Sequence, residues 1–286
     1  MIIDPLQFLL TAQTPLGGWG YQLGQTPVVE PTCAVLIAAR DKSHETAFQD
    51  AVEWLLSIQQ NDGGWGINGD DLSSCWQTAW AVWALQIIGE EDNAIQRGLD
   101  WLLKEEAMAI SDLDDLEAGL KVAGIDFSLR GWPWQPGESS WVEPTALALM
   151  ALASAGITNE RLREAIRYLE NRRCPGGGWN VGNPLMFNTL VPARVVPTAW
   201  SLMSLAQNAP DAILENDITA LETEMVKDGG LLGLAWGSLA LKTNKRDIPK
   251  DIRAALVENQ TSDGSWNQNP FITAVAWMAF QEDMLV

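Results

Sequence analysis

Histidine is almost missing from this chain. Of 286 residues only His44 is one, and it lies in the polar stretch "RDKSHETAF". A Ser-His-Asp triad or a histidine-built metal site is therefore set aside. Cysteine is scarce as well. Cys33, Cys75 and Cys174 are odd in number and far apart, which points to reduced thiols and a cytoplasmic setting. Positive charge is short: 18 Lys and Arg face 37 Asp and Glu, a formal net charge of −19. Such a surface repels phosphate backbones and anionic headgroups, so nucleic acid is not an expected partner. No apolar run approaches the roughly 18–20 residues of a membrane span. The start, "MIIDPLQFLL", has no basic residues and carries Asp4 and Pro5, so it does not read as a signal peptide.

Tyrosine is the last shortage, and it sharpens an excess: 15 Trp stand against two Tyr. A bias of that kind usually has a repeated cause. Four segments hold a Gly-rich turn ending in Trp: "QTPLGGWGY", "QQNDGGWGI", "RRCPGGGWN" and "NQTSDGSWN"; "SLRGWPWQ" is a variant. After each comes an apolar run: "PTCAVLIAA", "QTAWAVWAL", "PTALALMAL", "PTAWSLMSL" and "ITAVAWMAF". Trp19 to Thr32, Trp65 to Thr78 and Trp132 to Thr145 are each thirteen residues apart; the fourth turn is longer and the last shorter.

Before the turns lie segments such as "AFQDAVEWLLSIQ" and "RLREAIRYLENRR", whose apolar residues recur every three or four positions, as in helices with one buried face. The runs after the turns are apolar all round, as helices enclosed on both sides are. Each unit is thus an outer helix, a Trp turn and an inner helix. "GGLLGLAWGSLAL" adds an inner helix without its Trp turn, giving about six units and almost no strand. An open solenoid would show a polar concave face. These inner helices are too apolar for that, so the expected fold is all-α: a closed α6–α6 toroid, one domain over residues 1–286.

"IQQNDGGWG" and "NQTSDGSWN" resemble the Gln–Trp repeat of squalene–hopene and oxidosqualene cyclases, and "QTAWAVWAL" resembles the helix that follows it there. The resemblance runs over nearly the whole chain and is to the prenyltransferase and terpene-cyclase toroid superfamily. Those cyclases have two toroids; this chain has room for one. "GWPW…SWVEPTA" is also similar to a group of bacterial single-toroid proteins. The resemblance implies a central cavity, lined by inner helices, that admits an isoprenoid. Protein prenyltransferases of this fold bind zinc through Asp, Cys and His, a set that His44 alone does not supply. Complement-type thioester domains need a Cys-Gly-Glu-Gln element, which is absent. Class II cyclases need no metal: they protonate an alkene or epoxide with an acid from a DxDD motif followed by Thr-Ala.

The literal string "DLDD" occurs at Asp112, Leu113, Asp114 and Asp115, but "LEAGL" follows it, and it reads as a solvated or helix-capping patch. Aligned on Thr-Ala, the family's central aspartate falls on Glu143, and Glu30 holds the same place in "VVEPTCAVL". Trp76, Val196 and Phe271 fill this register elsewhere, so it is apolar except at two acids. Trp141 and Pro144 stand where the family has flanking aspartates. An acid in the first turn of a helix behind Pro is also an ordinary device, worth about 0.3–1 kcal/mol through the helix dipole. Trp132, Trp134 and Trp141 crowd Glu143, and burial among them raises a carboxyl pKa. Asp126 precedes the third turn and would orient Glu143, replace it as donor, or cap its loop.

Trp19, Trp65, Trp179 and Trp266 read as structural turn residues, whereas Trp76, Trp132, Trp134 and Trp141 are candidates for a cavity wall offering electron-rich faces to a cation. The long fourth turn adds Met186, Phe187, Asn188 and Arg194, an insertion suited to closing the mouth or holding a polar head group, with Arg194 as carboxylate or phosphate ligand. The leading expectation is a class II terpene cyclase-like enzyme acting without metal or cofactor on an isoprenoid or prenylated (meroterpenoid-type) substrate. Two alternatives stay open: a carbohydrate hydrolase or lyase with Trp platforms and paired acids, and a non-catalytic isoprenoid or peptide binder.

Overall fold

The computed structural model describes residues 2–89, 92–110, 112–186 and 188–282, and the side chains of all of these except Asp92, Leu113, Asp115, Ala118, Val122 and Ala123. Among them are thirteen α-helices: α1 (Leu6–Ala12), α2 (Val29–Ala38), α3 (Thr46–Ser57), α4 (Gln77–Ile88), α5 (Asp92–Lys104), α6 (Leu113–Ala123), α7 (Val142–Ser154), α8 (Glu160–Asn171), α9 (Val195–Asn208), α10 (Glu215–Asp228), α11 (Gly230–Thr243), α12 (Lys250–Glu258) and α13 (Pro270–Phe280). Burial sorts them into two layers. Every residue of α2 is buried. In α8 only Leu162, Ala165, Tyr168 and Leu169 are, at the spacing of a single helix face.

The buried layer is a closed ring. α2 packs on α4, α4 on α7, α7 on α9, α9 on α11, α11 on α13, and α13 back on α2. The outer helices α1, α3, α5, α8, α10 and α12 surround it. At the seam Gln260 Nε2 donates to Ile3 O at 2.7 Å, and Ile3 N donates to Gln260 Oε1 at 2.8 Å. The expected toroid is the observed architecture, with one addition: α6 lies outside the repeat, between α5 and the third turn.

The Trp–Thr spacing has a direct cause. Trp19, Trp65 and Trp132 each donate the backbone N–H to the threonine Oγ1 thirteen residues on, at 2.9, 2.9 and 2.8 Å. Trp179 does so across 19 residues, to Thr198, and Trp266 across 7, to Thr273. Each indole N–H meanwhile donates to a leucine carbonyl at the end of the preceding outer helix: Leu9, Leu55, Leu102, Leu169 and Leu256. One buried residue thus fixes an outer helix to an inner one. The contact survives changes in loop length because both ends are local hydrogen bonds in the dry interior.

The fourth turn departs from the expectation of an all-helical chain. Its extra residues form a two-stranded antiparallel hairpin, β1 (Leu185–Met186) and β2 (Thr189–Leu190). Asn188 sits at its tip with φ 60°, a left-handed conformation that Asn tolerates well. Phe187 lies outside the described residues.

Candidate active site

Glu30 and Glu143 are in the first turns of α2 and α7, at one end of the ring, with α4 between them. Glu30 is 8% exposed, and its Oε2 accepts a hydrogen bond from the Tyr21 hydroxyl. Burial pushes its pKa up to about 7; Tyr21 opposes the rise, and the charge of Glu143 adds to it. The indole N–H of Trp80 faces the same carboxyl and also opposes the rise, without making a well-aligned hydrogen bond to it. Loss of water alone takes Glu143 to about 7. At neutral pH a substantial fraction of each carboxyl therefore stays protonated, where a solvated glutamate would be ionised. Glu30 is buried within the ring, whereas Glu143 is half-buried at its end.

Below the acids the ring interior is crossed by aromatic side chains. Trp80, on α4, lies 5.8 Å from Trp200 on α9, 5.9 Å from Trp236 on α11 and 6.2 Å from Phe271 on α13, between ring centroids. α4 packs on α2 and α7 within the ring, so these contacts span its middle. Trp200 and Trp236 meet edge to face at 5.4 Å. The resemblance implied an open cavity; at this level the space is filled with indoles. Their N–H groups at Trp80, Trp83, Trp200 and Trp236 are buried without hydrogen-bond partners, as are Gln77 Oε1 and Ser201 Oγ. Trp80 lies four residues, about one helical turn, beyond Trp76, which fills the acid register of α4.

The remaining candidates separate. Trp76 and Trp134 pack edge to face at 4.6 Å, and Trp76 N donates to Trp134 O at 3.3 Å. With Trp101, Trp132 and Pro144 they border a void of only about 10 Å³. Trp132, grouped with the cavity wall from the sequence, takes the repeat position instead. Its indole N–H is bonded to Leu102 O, and the Arg161 guanidinium covers its face at 3.8 Å. Trp141 caps α7 and borders a cavity of about 440 Å³ under the fourth turn. Asp126 Oδ1 accepts from Ser128 N at 2.9 Å and Ser128 Oγ at 2.6 Å, the geometry of a loop cap. In the DLDD string, Asp112 Oδ1 accepts from Asp114 N at 3.0 Å at the start of α6, and Asp114 is exposed. The side chain of Asp115 lies outside the described residues. Asn188 is exposed at the hairpin tip, and Arg194 makes an exposed ion pair with Asp228 at 3.0 Å.

Four groups escaped the sequence reading: Tyr21, Trp80, Trp200 and Trp236. Two of them carried a signal, since Trp80 and Trp200 both occur in "TAW", two residues after the repeat threonine. No three His, Cys, Asp or Glu side chains among the described residues are grouped to hold a metal ion. The three thiols are free and buried. No helix among the described residues is long and apolar enough to cross a membrane.

Residues 1–109 match the family model described as the squalene-hopene cyclase C-terminal domain. The squalene–hopene cyclase of Zymomonas mobilis is 34% identical over 125 residues, covering 37% of this chain and 19% of that enzyme. That of Alicyclobacillus acidocaldarius is 32% identical over 189 residues, covering 62% and 28%. The matched region therefore spans under a third of either relative. By fold, the type II terpene cyclase MstE from Scytonema has a TM-score of 0.61 at 19% identity, over 96% of this chain and 94% of that one. MstE has also been solved, as a variant, with its substrate geranylgeranyl dihydroxybenzoate.

Proposed function

We propose that this class II terpene cyclase-like toroid protonates and cyclises an isoprenoid or prenylated (meroterpenoid-type) substrate against its inner helices, without metal or cofactor. One observation carries the reading. Two carboxyls share a register of the ring that is otherwise apolar, both are raised to about 7, and an aromatic cluster lies below them. The Gln–Trp repeat and the similarity to squalene–hopene cyclases and MstE support it.

Glu143 is the acid. Both acids lie near 7, but Tyr21 donates to Glu30 and stabilises its carboxylate, whereas no hydrogen-bond donor among the described residues holds the carboxylate of Glu143, the acid two residues before Thr145. That proton passes to an alkene carbon, whose π pair forms the new C–H bond. The resulting cation is captured by the π pair of the next double bond. The last cation loses a proton, so the product is an isomer of unchanged mass. A carboxyl of raised pKa is a modest acid. Its position compensates: the carboxylate left behind and the indole faces meet the new cation in a site of low dielectric, where both attractions are strongest. The free buried thiols agree with a reducing, cytoplasmic setting.

The test is incubation with a panel of prenyl compounds, watching for isomers of unchanged mass. Glu143→Gln keeps shape and hydrogen bonding but removes the acid proton, and general acid work is worth roughly 10²–10⁴-fold. That variant should bind ligand and fail to turn it over, while Asp114→Asn works normally. The opposite pattern places the acid in the DLDD string.

A further inference from the structure

The fourth turn reads from the sequence as closing the cavity mouth or holding a polar head group, the latter through Arg194, yet Arg194 lies at the surface. Another arginine stands in the position required. The hairpin turn, through Asn180, Val181, Gly182, Asn183, Met186 and Val191, walls the cavity of about 440 Å³ that Trp141 borders, and Arg172 lines it from the far end of α8. Arg172 is 4% exposed and forms no ion pair within 4.0 Å among the described residues. Its Nη1 and Nη2 both donate to Asp126 O at 3.2 Å, and Nη1 also donates to Asn171 Oδ1. Those bonds occupy the outer edge of the guanidinium. Nε donates no hydrogen bond among the described residues, so the Nε–Nη2 edge, whose two parallel N–H groups match a carboxylate, meets no anion and only the neutral Tyr168 hydroxyl nearby. Tyr168 supports the plane from 4.6 Å and Phe127 from 5.7 Å; the Tyr168 hydroxyl donates to Ser140 O at 2.8 Å and turns its lone pairs to Arg172. The nearest acid, Asp126, directs its carboxylate to Ser128.

A buried cation without an anion is costly, and here it faces a space of ligand size. The rest of the lining is largely apolar: Leu129, Trp141, Met186 and the exposed Met108 and Ile110. We propose that this cavity is a binding site for a carboxylate carried on an apolar body, the carboxylate lying on the Nε–Nη2 edge of Arg172 and the body lying along the hairpin. The site stands whether or not Glu143 is the acid, because its readout is binding.

Calorimetric titration with geranic acid, with geraniol of the same skeleton, and with inorganic phosphate tests it. The acid should bind at least tenfold tighter than the alcohol, and phosphate should bind more weakly than the acid because it leaves the apolar wall unused. Arg172→Gln should bring the acid down to the affinity of the alcohol, and Arg172→Lys should keep part of the preference. Equal affinities of acid and alcohol in the wild type, or a preserved preference in Arg172→Gln, overturns the site. Should Arg172→Gln fold poorly, Val181→Trp narrows the cavity from its exposed rim with the arginine intact; undiminished binding there overturns it as well. Recovery of the bound acid as an isomer identifies the carboxylate as a substrate head group. Recovery unchanged, with affinity kept in Glu143→Gln, identifies a separate ligand. Either recovery supports the site.

Discussion

Tyr21 donates its phenolic hydroxyl to Oε2 of Glu30, nine residues along the chain and on the far side of the first Trp turn. The ring of Tyr21 rests edge-on against Phe271 of α13 at 5.8 Å. The contact makes two carboxyls in equivalent registers unequal: one is offered a donor that favours its charge, the other is half-buried with none. Burial and Glu30 together push the Tyr21 hydroxyl well above its ordinary pKa, so it remains a donor throughout the working range.

Stability should fall as pH rises through neutrality. The Glu30 carboxyl is raised from 4.5 to about 7 on folding, so the folded state binds its proton more tightly than the unfolded chain. Its contribution is complete below about pH 4.5 and lost as pH passes 7, on the order of 3 kcal/mol over that window. Denaturant unfolding at pH 5, 6, 7 and 8 measures this. Glu30→Gln should flatten the curve relative to wild type, with the general repulsion of an acidic chain common to both. An unchanged slope in the variant assigns the titration elsewhere.

The threonine of each unit is a second point of failure. Thr78→Val keeps the shape but leaves the buried Trp65 N–H without its acceptor at 2.9 Å, a loss of about 1–3 kcal/mol. Thr78→Ser should cost much less. Thr198→Val should match Thr78→Val although its loop spans 19 residues. Equal urea midpoints for Thr78→Val and Thr78→Ser contradict a hydrogen-bonding role.

Much of this ring is legible because each helix records its layer in its composition. An inner helix such as "VEPTCAVLIA" has no solvated face to write in polar residues, while the outer helices alternate faces at helical spacing. The ring closure followed from the same apolarity. What escaped the sequence is contact between units. Nothing near Trp80 in the chain says that it meets Trp200 and Trp236 across the interior, since that depends on ring diameter and on which way each helix is rotated. Tyr21 hid in a turn whose Trp drew the attention. Arg172 is indistinguishable in "ENRRC" from its neighbour Arg173, which pairs with the buried Asp217 at 3.0 Å. The hairpin was missed because four strand residues leave no periodicity to read.

Glycine in the Trp turns is a close-approach device. A Cβ at Gly63, where φ is +97°, would lie 2.6 Å from Arg97 O of the next outer helix. Gly24 also has positive φ, +76°, but open space around it. Gly24→Ala should cost roughly 1–2 kcal/mol from the backbone alone. Gly63→Ala should cost clearly more, because the obstacle is main chain that cannot turn aside. Thermal unfolding of both variants decides this, and similar losses refute the packing argument.

The aromatic crossing makes the last prediction. Under the proposed chemistry a cation forms beside the acids, against the cluster in which Trp80 stands among Trp200, Trp236 and Phe271. A desolvated indole face is worth about 2 kcal/mol to a cation, roughly 30-fold in rate when the charge exists only in the transition state. Trp80→Leu should therefore lower kcat by about that factor, and Trp80→Phe, which keeps a weaker face, by less. A packing defect alone ranks the two variants the same way, so the rate has to be compared with the melting temperature. Both variants leave space in a core of close-packed indoles and should lower the melting temperature. If kcat follows melting temperature rather than aromatic character, the residue only fills the ring. If Trp80→Phe retains most of the rate despite a lower melting temperature, and Trp80→Leu does not, the face of the ring is what the reaction uses.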